Sequence, residues 1–139
     1  MNAVGYGSVV DGCVFDGSNG GVYVDGGAIV ISNCDFSQSG DSVYVDGTSQ
    51  VVIENCVFGG SGDAVVVGAL SQAITVRNCW FLNSGDAIVF EGQCAGASIE
   101  GNTFENSGIA VVNGEDVTEV VVSANILEGV DTFVDGGRS

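Results

Sequence analysis

Short apolar runs separated by turn residues recur along the whole chain. The second copy of this pattern holds two such runs, Ile29-Val30-Ile31 and Val43-Tyr44-Val45, with glycine, asparagine, serine and aspartate between them. β-Branched residues with a period of two indicate strands, and glycine and aspartate between strands indicate tight turns. Too few residues remain for a helix, so each copy is predicted to contain two strands and no helix.

An aromatic or leucine residue marks the interval of the repeat. It falls at Phe15, Phe36, Phe58, Phe81, Phe104 and Leu127, so the spacings are 21, 22, 23, 23 and 23 residues. A helix-free repeat of this length predicts one coil of a parallel β-solenoid, whose strands pair with their equivalents in the next coil. We expect one all-β domain over residues 1–139, with about six coils near residues 8–27, 28–49, 50–72, 73–95, 96–118 and 119–136.

Stacked coils turn each aligned position into a column with about 4.8 Å between neighbours. Three apolar columns are predicted to point inward. They are Val10, Ile31, Ile53, Val76, Ile99 and Val122; then Phe15, Phe36, Phe58, Phe81, Phe104 and Leu127; then Val22, Val43, Val65, Ile88 and Val111. The opposite alternation is also open in the second strand, because the intervening positions are apolar too.

A specific motif supports this architecture. Asn55-Cys56-Val57-Phe58 followed by Ser61-Gly62-Asp63-Ala64-Val65-Val66-Val67 is one of several matching copies. This pattern resembles the repeat of the right-handed parallel β-helix in the pectin-lyase-like superfamily, over about residues 8–136. The resemblance implies a right-handed coil and favours an extracellular, cell-surface or virion location. It leaves the activity open, because the superfamily includes lyases, hydrolases, epimerases, tail spikes and adhesins.

Composition and charge narrow the classes of function. The chain has 18 carboxylates, two arginines, no lysine and no histidine, for a formal net charge of -16. That charge argues against nucleic acid and anionic membranes as partners, and no apolar run approaches the roughly 20 residues of a membrane helix. Residues 1–8 lack the charged and apolar regions of a signal peptide. Without histidine the commonest general base is missing, so we expect no enzyme; if there is one, the resemblance implies a polysaccharide lyase.

Four cysteines occupy one column of the repeat, Cys13, Cys34, Cys56 and Cys79, and Asn102 and Asn125 continue it. Side chains stacked on parallel strands rarely have the torsion of a disulfide, and a column does not converge on a metal ion. We therefore expect a ladder of buried thiols that act as small apolar side chains, with the asparagines held by hydrogen bonds. Cys94 is expected in a loop insertion, unpaired.

Two further columns carry charge. Arg77 lies between Glu54 and Glu100, which predicts a cross-strand ladder of opposite charges rather than a catalytic base. Asp41, Asp63 and Asp86 follow Ser-Gly in successive copies. Three aligned carboxylates are a weak candidate for calcium, and the alternative is that each aspartate caps its own turn. No other cofactor is expected.

Outward positions suggest partners. The second strand carries an outward apolar column that we expect to be an interaction face: Tyr23, Tyr44, Val66, Val89 and Val112. Trp80 is a candidate glycan contact, with outward packing against its neighbours as the alternative. Only seven residues precede the first coil and a short tail follows the last, so we expect uncapped ends.

These features predict a non-enzymatic structural module. We expect it to self-associate through its ends, through the apolar face or through both, as part of a fibre, a spike or a surface structure. The alternative is a fragment or minimal member of the β-helix proteins that process or bind polysaccharides.

Overall fold

A computed structural model describes residues 2–3, 8–16, 20–25, 28–38, 41–47, 49–59, 63–68, 71–82, 85–92, 94–106, 109–113, 117–130 and 132–135. Every regular element in these segments is a β-strand, as the sequence predicts. None of the segments forms a helix that is long and apolar enough to cross a membrane.

The strands form three parallel sheets, and the chain visits them in turn. Sheet A contains β1 (Asn2–Ala3), β4 (Gly20–Asp25), β7 (Asp41–Asp46), β10 (Val65–Val67), β13 (Asp86–Phe90), β16 (Ile109–Asn113) and β19 (Thr132–Asp135). Sheet B contains β2 (Ser8–Asp11), β5 (Ile29–Ser32), β8 (Ser49–Glu54), β11 (Ser71–Arg77), β14 (Cys94–Glu100) and β17 (Val117–Ser123). Sheet C contains β3 (Val14–Asp16), β6 (Asp35–Gln38), β9 (Val57–Phe58), β12 (Trp80–Leu82), β15 (Thr103–Glu105) and β18 (Ile126–Glu128).

The pairing confirms the parallel β-solenoid. Each strand pairs with the strand three further along the chain, for example Val30 with Val52 in sheet B and Val43 with Val65 in sheet A. The prediction of two strands per copy is wrong, because sheet C supplies a third. Its strands contain only two to four residues, which is too short to show a period of two in the sequence.

The three predicted inward columns line the core. The central members of each column are buried, and at the two ends Phe15 and Val122 are partly buried and pack against them. The inward prediction is wrong for Leu127, which is 42% exposed because its strand is at the edge of sheet C within the described residues. The side chain of Val111 lies outside the described residues. A further column that the sequence analysis did not include is also buried: Val24, Val45, Val67 and Phe90. Each central strand of sheet A therefore contributes two apolar side chains to the core. In β4 and β7 the inward and outward positions alternate as predicted, and the opposite alternation does not occur there.

Phenylalanine rings stack along the axis of the rod. Ring centroids of successive phenylalanines from Phe15 to Phe104 lie 4.7 to 5.0 Å apart, with nearly parallel planes. This spacing follows from the distance between strands, so one side-chain conformation serves every coil. In this part of the core, equivalent side chains thus make the same contact in each successive coil.

The expected loop at Cys94 is wrong. Cys94 begins β14, is buried, and pairs in register with Ser71 and Val117. Gly96 has a φ of 77°, and its counterpart in β11, Ala73, has a φ of 52°. Each lies between the same two register pairs, Gln72 with Ala95 and Ile74 with Ala97, so neither strand contains an extra residue. A positive φ is readily available to glycine, so the glycine that suggests a loop lies within a paired strand.

The turn from sheet B to sheet C uses the left-handed conformation in successive coils. Asn33, Asn55 and Asn78 have φ values of 53° to 54° there, and Gly101 has 65° in the same column. Asparagine and glycine tolerate this region better than other residues. A Cβ on Gly101 would lie 2.8 Å from the Asn78 side-chain oxygen, so a larger residue at this position would require that side chain to shift.

Candidate functional site

The column of cysteines and asparagines directs its donors to the same backbone position in each coil. The thiols of Cys34, Cys56 and Cys79 lie 3.6 to 3.7 Å from carbonyl oxygens of the preceding coil and 3.2 to 3.3 Å from the carbonyl oxygen two residues earlier in their own coil. Asn102 and Asn125 donate from their side chains to the equivalent carbonyls at 3.0 and 3.1 Å. Thiols are weak donors, so asparagine makes a stronger hydrogen bond to this carbonyl position than cysteine does.

The asparagines also accept hydrogen bonds that a thiol does not replace well. Asn102 Oδ1 accepts from the backbone N of Cys79, and Asn125 Oδ1 accepts from the backbone N of Asn102, both at 2.9 Å. Each carboxamide thus joins its own coil to the coil before it by two bonds. This arrangement stabilises the turn and offers no convergent set of ligands.

All five cysteines are free thiols, and four of them are buried. Burial raises the pKa of Cys34 and of Cys94. The hydrogen bond between Cys56 and Cys79 raises the pKa of Cys79, which burial raises further, and lowers the pKa of Cys56. Because the thiolate is the nucleophile and the metal ligand, and because the column is inside the rod, its geometry favours packing over chemistry.

Arg77 contacts one of its two neighbouring glutamates. Its Nη2 and Nε lie 2.7 and 3.1 Å from Glu54 Oε1, whereas Glu100 is its register partner on the other side. The hydrogen bond to Glu54 raises the pKa of Arg77, which keeps the guanidinium charged. A charged, tethered guanidinium on an open surface is not poised to abstract a proton.

The described part of the acidic column is used by the backbone. Asp63 Oδ1 accepts from the backbone N of Asp86 at 3.1 Å, so this carboxylate links two coils. The side chain of Asp41 lies outside the described residues. Among the described residues, no group of three or more cysteine, aspartate and glutamate side chains is arranged to hold a metal ion.

The outer face of sheet A carries the predicted apolar column. Tyr23, Tyr44, Val66 and Val89 are in register there, and Val112 continues the register although its side chain lies outside the described residues. The rings of Tyr23 and Tyr44 are stacked, with centroids 5.4 Å apart. Tyr23 donates from its hydroxyl to Asp46 Oδ2 at 2.8 Å, and this bond raises the pKa of Tyr23.

Tyr44 reaches past the next coil of this face. Its hydroxyl donates to Glu91 Oε1 at 3.0 Å, 47 residues further along the chain, and this bond raises the pKa of Tyr44. Val66 belongs to the coil between them and is only 6% exposed. Sequence reasoning missed Asp46 and Glu91 as partners of the tyrosines, because no periodic signal connects the two pairs.

Trp80 stands on the outer face of sheet C beside an open groove. The indole is 45% exposed, and its Nε1 donates to Glu105 Oε2 at 2.7 Å, which fixes the orientation of the ring. The groove has a volume of about 410 Å³ and is also lined by Asn55, Asn78 and Thr103. A fixed aromatic ring beside amide and hydroxyl groups can bind a neutral polar ligand.

The four most exposed large apolar side chains lie in the terminal coils, and Leu127 of the last coil is also exposed. In the first coil Val9 is 63% and Val14 is 70% exposed, and in the last coil Val121 is 58%, Ile126 62% and Leu127 42% exposed. Val30 and Val52, in the same column as Val9 and Val121, are only partly exposed. The difference arises because β2, β3, β17 and β18 are the edge strands of sheets B and C within the described residues.

Comparison with known proteins supports the fold directly. The family model described as a right-handed β-helix region matches residues 2–130, which include every strand except β19. No curated protein and no solved structure matches the chain. The solenoid is therefore right-handed, and the chain belongs to the right-handed β-helix family.

Proposed function

We propose that this chain is a non-enzymatic structural module that self-associates and contributes to a fibre, a spike or a surface structure. The observation that supports the proposal is the exposure of apolar side chains on the edge strands of sheets B and C. A β-strand edge with exposed apolar side chains readily pairs with another chain. Contact between the two ends of different copies is open-ended and generates a filament.

Charge sets the conditions for association. Each copy carries a formal charge of -16, so copies repel each other at low ionic strength. At roughly 1 M salt the Debye length is about 3 Å, and the apolar contact then outweighs the repulsion. Association is expected to rise steeply with salt and with protein concentration.

The test is light scattering after size exclusion, at low and at high salt, on the wild type and two matched variants. Val121→Glu places a carboxylate on the edge strand β17, whereas Ser98→Glu makes the same charge at its register partner on β14, one strand inward. We expect Val121→Glu to abolish the salt-dependent oligomers and Ser98→Glu to retain most of them. A monodisperse wild-type monomer at high protein and salt concentration would overturn the proposal.

A second candidate function is glycan binding, and the exposed Trp80 beside its groove favours it. The net charge of -16 disfavours uronate polymers, so a neutral sugar is the expected ligand. Binding of neutral oligosaccharides by calorimetry, lost in Trp80→Ala and retained in Tyr23→Ala, would support this function. Absence of binding to the wild type would remove it.

A further inference from the structure

The two edges of the rod are complementary in register. Continuing each column of sheets B and C by one coil places Val9 of a second copy beside Val121, and Val14 beside Ile126. These are the four most exposed large apolar side chains of the described residues. In the core, the same placement covers Leu127 with Phe15 of the second copy, as Phe36 covers Phe15 within one chain at 4.7 Å.

Sheet A prevents a simple stack. It contains seven strands where sheets B and C contain six, since β1 precedes β4 and β19 follows β16. A second copy that seats β2 on β17 and β3 on β18 brings its own β1 to the place that β19 already occupies. One of these two strands must therefore leave its position when the copies meet.

The lengths of the two strands indicate which one leaves. β1 has two residues and pairs at two positions, Asn2 with Tyr23 and Ala3 with Val24. β19 has four residues and pairs at three positions, including Val111 with Val134 and Val112 with Asp135. The shorter strand has fewer hydrogen bonds to lose, so its displacement by β19 is the less costly exchange.

We propose that copies of the chain stack end to end in this register, and that β19 of each copy replaces β1 of the next, a strand exchange between protomers. The inference rests on the proposed self-association and specifies its surface and geometry. In the stack Asp135 pairs with Tyr23 of the next copy, and Val134 comes into register with Val22. With this exchange, sheet A continues from one copy to the next. Sheets B and C continue as well, because β2 and β3 of the second copy pair with β17 and β18 of the first.

The charge of the copies explains why salt is needed. Each copy carries a formal charge of -16, and Glu128 is exposed on the edge strand β18 at the junction. Like charges brought close together oppose association. Salt screens this repulsion at an exposed site, so the same junction is weak at low ionic strength and stable at high ionic strength.

Cross-linking between engineered cysteines tests the register. In the Cys13→Ser background, the pair Val9→Cys and Val121→Cys is treated at high salt with a short bifunctional methanethiosulfonate. The two positions lie about 4.8 Å apart across the proposed junction but five strand spacings, about 24 Å, apart within one chain. A ladder of covalent oligomers on a denaturing gel is therefore expected, and its yield should exceed that of the control pair Val9→Cys and Ile126→Cys at least tenfold.

A second pair tests the exchange of strands. Tyr23→Cys with Asp135→Cys forms a ladder if β19 replaces β1, whereas Asn2→Cys with Asp135→Cys forms one if both strands stay and stack. The first result supports the exchange and the second overturns it. Salt-dependent oligomers without a ladder from the pair at positions 9 and 121 overturn this register but leave self-association intact. A chain that remains monomeric under all conditions overturns both proposals.

Discussion

The central and the terminal coils use similar residues in the same columns, but the central coils bury them more completely. Phe58 is buried between Phe36 and Phe81, whereas Leu127, in the same column, is 42% exposed. Val52 and Val121 differ in the same way on the outer face of sheet B. Burial in this fold therefore depends on the coils above and below a residue, because each coil packs mainly against its neighbours.

Thiol reactivity should show the largest difference between the two regions. We expect a small alkylating reagent to modify the partly exposed Cys13 in the native protein and to modify buried Cys56 at least about a thousandfold more slowly. Reaction at Cys56 requires coils to separate, whereas Cys13 is already accessible. Mass spectrometry of timed samples gives both rates, and denatured protein is the control in which the two should converge. Similar rates in the native protein would contradict the comparison.

Substitution of a residue in the phenylalanine column by alanine should lower the stability strongly in the middle of the rod and weakly at its end. Phe58→Ala is expected to lower the free energy of unfolding by about 3–5 kcal/mol, because it removes a buried ring and leaves a cavity. Leu127→Ala should lower it by less than about 1.5 kcal/mol, because the side chain is already partly in water. Urea denaturation of dilute protein at low salt, where association is weakest, measures both changes. Equal losses would show that the coil stack does not determine burial.

The asparagine ladder provides a finer form of the same comparison. Asn102→Ala removes the acceptor of the Cys79 backbone N–H in a buried turn, and we expect a loss of about 1–3 kcal/mol. Asn125→Ala removes equivalent bonds in the last coil, where water can replace them, and should have a smaller effect. Urea denaturation gives both values, and a larger loss for Asn125→Ala would reverse the expected order.

The smallest expected effect is a change in the acidity of Asp11, on the first coil. Hydrogen bonds from Asn33 and Ser32, both at 2.9 Å, lower the pKa of Asp11 below its usual 3.8. Asn33→Gly should raise this pKa toward 3.8 while keeping the left-handed turn, and carboxyl NMR shifts followed by pH titration measure it. An unchanged pKa would show that these bonds do not hold the carboxylate.

The sign of the associated effect on stability follows from the direction of the shift. A carboxylate whose pKa is lower in the folded protein stabilises the fold at pH values above its unfolded pKa. The contribution is lost as the pH falls through the folded pKa. The difference between wild type and Asn33→Gly should therefore shrink in acid.

Features that repeat in every coil can be predicted from the sequence, whereas features that depend on a single side chain cannot. Ile31 and Ile53 are correctly placed in the core because two patterns predict the same orientation. The alternation within each strand and the repeat between coils both direct these side chains inward. The third strand at Phe58 escapes prediction because two residues carry no pattern. The hydrogen bond from Tyr44 escapes it because that bond depends on a side-chain conformation and on Glu91, 47 residues away.

The hydrogen bond between Tyr44 and Glu91 also determines how the rod resists force. Coils of a solenoid can peel away one at a time when an end is pulled, because each is held only by its neighbours. Tyr44 reaches past its neighbouring coil, from β7 across β10 to the residue that follows β13. One side chain thus joins three successive coils, and we expect peeling that begins at β2 to meet this additional bond when it reaches β7.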